Sequence, residues 1–131
     1  MMKMNEFIAK RDNARKIYAV DESAGRAAMV ELQNECGGLY WRFDDMADSI
    51  ALGNNYPNMN DCPFPRDAAE IDSAFRAMGI TRFTISAKST GLLGFMAAMY
   101  ECGWDLIGLA EVKVNKWDDK PVPAMVIDLA E

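Results

Sequence analysis

Two stretches carry residues whose types and spacing could do chemistry. The first is "TISAKSTGLLGF", residues 84–95, in which Lys88, Ser89, Thr90 and Gly91 separate an alternating segment from an apolar one. A strand feeding a helix through such a turn presents free N–H groups and a positive dipole end, which is how phosphate sites are made. The Walker spacing is missing, because no glycine precedes Lys88 within the turn. A plain helix cap made by the hydroxyl of Ser89 or Thr90 uses the same residues without a ligand, and that is the expectation here. The second stretch is "WRFDDMADSI", residues 41–50. On a helix it places Asp44 and Asp48 at i, i+4 with Asp45 beside them. Three carboxylates could hold a hard cation, but they lack the glycine-punctuated loop of a dedicated calcium site. No metal is therefore expected. The remaining readings are a solvated face and a partner-binding face made of Glu35, Asp44, Asp45 and Asp48, with Asp61 nearby.

Charge supports the second of these. From residue 31 to 61 six acids are opposed by Arg42 alone, a net −5, while the whole chain carries −6. Residues 1–20 are basic instead, with a net +3. An acidic balance excludes a general nucleic-acid binder, which needs a basic stripe to displace counterions. Histidine is absent. That removes Ser-His and Cys-His nucleophile pairs, histidine bases and histidine metal ligands, so no enzyme and no cofactor are expected. Cys36, Cys62 and Cys102 are scattered and form no Cys-x-x-Cys, which reads as reduced and mostly buried thiols. No run approaches the roughly 20 apolar residues of a membrane span, and the N-terminal stretch has no apolar leader core. A cytoplasmic protein is the expectation.

These residues must be positioned by an α+β fold in one domain, residues 1–131. Residues 2–19 read as a basic helix. From residue 22, Met29, Leu32, Cys36, Leu39, Phe43, Met46 and Ile50 recur with alternating spacings of three and four. The register runs through Gly37-Gly38, so one long central helix over about 22–52, kinked at the glycines, is expected. Its stripe is either core or the seam of a homodimer, which leaves the oligomeric state open. Residues 53–66 read as a loop and 67–78 as a short helix. The second half reads as β-α-β-β: a strand in "ITRFTIS", a helix over 91–101 apolar almost all round and so covered on most sides, and strands over 105–114 and 122–129 joined by a turn with an exposed Trp117. A helical first half packed on a small three-stranded mixed sheet satisfies this order.

The segments "YWRFDDMADSIALG", "NYPNMNDCPF", "GITRFTISAKSTGLL" and "ECGWDLIGLAEVKV" together resemble a group of short uncharacterised proteins of gut Firmicutes, often carried on plasmids, phages and conjugative elements. The resemblance covers residues 40–115. In those relatives an Asp-Gln often stands where Ala87-Lys88 stands here, which weakens Lys88 as a phosphate ligand. The group has no established function, so no residue role carries over. The resemblance implies a context in which small acidic proteins bind and inhibit host machinery, CRISPR nucleases included. The expected function is thus a non-enzymatic protein-binding module of the anti-CRISPR type, with no direct nucleic-acid or membrane contact. The alternative is a small-ligand or anion site at Lys88-Gly91.

Overall fold

A computed structural model describes residues 2–61, 63–87, 91–117 and 120–129. The chain begins with two helices, α1 (Met4–Val20) and α2 (Glu22–Cys36), separated by Asp21 alone. Asp21 ends the first and caps the second: its side chain accepts from the Ala24 N–H at 3.2 Å. So short a link folds α2 straight back on α1. The reversal is possible because Gly25 has no side chain where α2 meets the Tyr18 backbone.

The long helix expected over 22–52 is broken. α2 stops at Cys36, residues Gly37–Leu39 form one 3₁₀ turn, and α3 runs from Tyr40 to Ala51. Gly37 adopts φ 64°, ψ −146°, a conformation essentially reserved for glycine. The heptad spacing survives the break because one tight turn changes the direction of the chain but hardly the phase of the stripe. Leu32, Cys36, Phe43 and Met46 are buried, and Leu39 and Ile50 pack against the same cluster. The stripe therefore faces this chain's own core.

The sheet has four strands, not three, in the order β1-β2-β4-β3. The additional strand, β1 (Asn58–Met59), lies inside the segment read as a loop and pairs parallel with β2 (Arg82–Ile85). Two residues are too short for any periodicity to show. A buried polar cluster holds β1 in place instead. The Thr84 hydroxyl donates to Asn58 Oδ1 at 2.6 Å, and Asn58 Nδ2 donates to Asn60 Oδ1 at 2.7 Å and to the Ser86 hydroxyl at 3.0 Å. β4 (Val122–Asp128) is antiparallel to β2 and to β3 (Asp105–Val112), the last two forming the expected hairpin, with a bulge at Ile107. Two helices complete the fold, α4 (Ala68–Ala77) and α5 (Leu92–Glu101).

Aromatic rings tie the helical half to the sheet. Phe7 of α1 meets Tyr40 and Phe43 of α3, Phe43 meets Phe75 of α4, and Phe75 meets both Phe83 of β2 and Trp104. Phe95 of α5 closes the chain of contacts on Trp104. The Trp104 indole N–H donates to Asp72, which also accepts from Arg76 Nε at 2.8 Å. α5 departs from expectation. Only Phe95 and Met99 of it are buried, while Leu93 and Tyr100 are each 80 % exposed. Trp117 is exposed as its turn suggested. No helix among the described residues is long and apolar enough to cross a membrane.

Candidate functional site

The basic first helix divides the acidic face. Arg11, only 5 % exposed, reaches from α1 across α3: its Nη1 donates to Asp48 Oδ1 at 2.9 Å, to Asp44 Oδ1 at 3.4 Å and to the Asp44 carbonyl at 3.0 Å. Arg15 adds contacts of 3.3 Å to Asp44 and 3.7 Å to Asp48. Glu35 pairs with Lys10 at 3.3 Å, an exposed contact of small energetic weight. Asp44 and Asp48 thus belong to a helix–helix joint, and two guanidinium groups neutralise them. The local sequence could not show this, because the cations lie about thirty residues upstream.

Asp45 and Asp61 fall on the other side of α3. There they line a cleft of about 320 Å³ between α3, the segment after β1 and the start of α4. Two residues not singled out in the sequence, Asp67 and Glu70, complete it. Both stand in "PRDAAE", where a pair of acids at a helix start reads as a favourable dipole interaction and hides a second role. Arg42, the one cation of the lining among the described residues, pairs with Asp61 at 3.1 Å. Asp45, Asp67 and Glu70 make no ion pair among the described residues. Trp41 lies at the mouth, 67 % exposed, with its ring edge-to-face on Tyr40 at 5.0 Å.

The cleft carries an electrostatic load. Partial desolvation by its walls pushes the Asp45 carboxyl above the usual aspartate range, repulsion from Asp44, Asp61 and Asp48 adds to it, and Arg42 opposes them. The sign follows from linkage: a carboxyl that binds its proton more tightly folded than unfolded makes the fold less stable as pH rises through those values. The penalty is complete above the folded value and absent below the unfolded one, about 3.9. Asp45→Asn should therefore raise the melting temperature at pH 7, and the gain should shrink as the pH is lowered toward about 4. Thermal unfolding at both pH values checks it. No gain at neutral pH would mean that Arg42 already balances the carboxylate.

No group of three histidine, cysteine, aspartate or glutamate side chains among the described residues is arranged to hold a metal ion. Cys36 and Cys102 are free thiols. Burial raises both, with Glu35 adding at Cys36 and Asp72 and Glu101 adding at Cys102, so neither is an activated nucleophile. Of the strand-to-helix turn, Lys88, Ser89 and Thr90 lie outside the described residues. Gly91 is exposed and stands as the residue before α5, its carbonyl accepting from Phe95 N–H at 3.1 Å.

The model of one family, the domain of unknown function DUF7698, matches residues 39–125, about two thirds of the chain. The chain belongs to that family. The DUF7698 match begins at the turn between α2 and α3, so the four acids of the cleft and Trp41 all lie within it. The α1–α2 hairpin, with Arg11 and Arg15, lies before it. No curated protein and no solved structure matches the chain.

Proposed function

We propose that this DUF7698 protein is a non-catalytic module that takes a basic protein segment into the cleft between α3 and α4. One observation carries the reading: Asp45, Asp61, Asp67 and Glu70 converge on a single cleft whose one cation among the described residues is Arg42, beside the exposed Trp41 indole. A lysine or arginine entering there would meet four convergent carboxylates and an aromatic face for cation–π contact. It would also relieve the repulsion that burdens Asp45. The absence of histidine and the unactivated Cys36 and Cys102 thiols support a binding role rather than a catalytic one. The narrower form suggested by the resemblance is inhibition of a host nuclease, whose basic nucleic-acid channel presents such segments. In that form Asp45 and Asp61 remain on the binding surface, whereas Asp44 and Asp48 are taken up by Arg11 and Arg15, and Glu35 pairs with Lys10 away from the cleft.

The test combines a lysine- and arginine-rich peptide, followed by Trp fluorescence, with a panel of nucleases. Binding should weaken with salt. Asp45→Lys combined with Glu70→Lys should weaken it more than about tenfold, equivalent to about 1.4 kcal/mol. Glu111→Lys, on β3 outside the cleft, should change it little. Equal losses from both variants would reduce the effect to net charge and remove the cleft from the argument.

A further inference from the structure

An open hollow of about 410 Å³ lies just beyond the carboxyl ends of the parallel pair β1 and β2, lined by Asn60, Ser86, Val114 and Val122. Asn60 and Ser86 each stand one residue past a strand end, and the Ser86 N–H donates to the Met59 carbonyl at 3.0 Å, which carries the ladder to the rim. Parallel strands bind small molecules at this end. Val114 follows Lys113, whose N–H and carbonyl are both held by the Asn54 side chain, at 3.0 and 2.9 Å. Among the described residues no charged side chain lines the hollow. It thus sets two polar side chains against an apolar wall.

These polar groups are oriented from inside the sheet. Asn58 is fully buried and Thr84 nearly so, a costly place for two polar side chains unless each is satisfied. The 2.6 Å contact from the Thr84 hydroxyl is an O–H···O distance, so Asn58 turns its oxygen to Thr84 and its Nδ2 to Asn60 Oδ1 and the Ser86 hydroxyl. The Ser86 hydroxyl also donates to Asn60 Oδ1, at 3.1 Å. With its oxygen engaged twice, Asn60 has its Nδ2 left to donate into the hollow. Ser86 Oγ, its proton directed at Asn60, keeps a lone pair to accept. A donor and an acceptor side by side match the adjacent C=O and N–H of a cyclic amide, and the two valines suit a flat ring. We infer that this hollow binds a small neutral molecule with a cyclic-amide edge, such as a pyrimidine base. The ligand carbonyl accepts from Asn60 Nδ2, its N–H donates to Ser86 Oγ, and its ring lies against Val114 and Val122. The acidic cleft is lined by other residues, so the inference stands independently of the proposed function.

Titration of the full chain with uracil, followed in amide proton–nitrogen correlation spectra, tests it. The side-chain amide pair of Asn60 and the backbone amides of Ser86, Val114 and Val122 should shift together and saturate, with a Kd on the order of 1 mM for so small a ligand. Asn60→Asp keeps an oxygen toward Asn58 and Ser86 but removes the outward donor, and should weaken binding at least about fivefold, the worth of one hydrogen bond. Dimethyluracil, methylated at both ring nitrogens, has no N–H for Ser86 and should bind more weakly by a similar factor. Val114→Trp, which fills the hollow from its rim, should abolish the shifts, and it decides the matter if the aspartate variant fails to fold. Asp45→Lys, in the acidic cleft, should leave uracil binding unchanged. No saturable shift of these residues in the wild type would overturn the inference. So would binding that is undiminished in a folded Asn60→Asp or Val114→Trp variant, equal affinity for dimethyluracil, or shifts centred on Trp41 and Asp45.

Discussion

Replacing Phe75 with alanine should destabilise the protein by about 3–5 kcal/mol, the cost of emptying a buried aromatic site. Phe75 is fully buried, and its ring touches Phe43 at 6.4 Å, Phe83 at 5.2 Å edge-to-face and Trp104 at 6.3 Å with the planes 4° apart. It is the ring through which the helical half and the sheet half meet. The neighbours cannot collapse into the space easily. Trp104 is tethered to Asp72 by its indole N–H, Phe83 sits in the β2–β4 ladder, and Phe43 is held on α3 against Phe7. Against a typical total stability of 5–15 kcal/mol the loss is a large share. Urea unfolding should show the lower midpoint, and near-ultraviolet circular dichroism should show Trp104 losing its fixed surroundings. A cost below about 1 kcal/mol would mean that the two halves have separate cores.

The second large effect concerns a glycine for which local and tertiary reasoning give opposite signs. Gly25 stands inside α2, where alanine is favoured by about 1 kcal/mol. In the folded chain a Cβ at that position would lie 2.3 Å from Tyr18 Cα and 2.4 Å from Tyr18 N. These are backbone atoms of the facing helix, one short link away, and they cannot turn aside as a side-chain tip would. Overpacking costs typically about 1–3 kcal/mol and more where the backbone must move. Gly25→Ala should therefore lower stability by about 2 kcal/mol net, or the melting temperature by about 5–10 °C. The hairpin would splay, loosening Arg11 and Arg15 from Asp44 and Asp48. Thermal unfolding decides between the signs: an alanine variant more stable than wild type would show that the helices do not approach this closely.

Much of the architecture could be read without coordinates because it rests on short-range patterns. The i, i+3, i+4 spacing marked the helices, and alternation marked β2. Asp21 stands where α2 begins and caps it with its side chain, a local effect of a residue type favoured at that position. The hairpin of β3 and β4 followed from two strand-like runs about a turn apart. The α+β class and the helical first half are consequences of these local signals. Three features lay beyond them. Gly37 breaks the long helix because its backbone takes a positive φ, which a continuous hydrophobic register does not reveal. β1 exists because Asn58 finds Thr84 and Ser86 far along the chain, and two residues carry no period. The acidic surface was visible as composition, but its function depends on what packs against it. Arg11 and Arg15 come from α1 to neutralise Asp44 and Asp48, whereas Asp67 and Glu70 come from α4 to join Asp45 and Asp61. A carboxylate's role is set by the charges within a few ångströms of it, and over that distance the tertiary fold, not sequence order, chooses the neighbours.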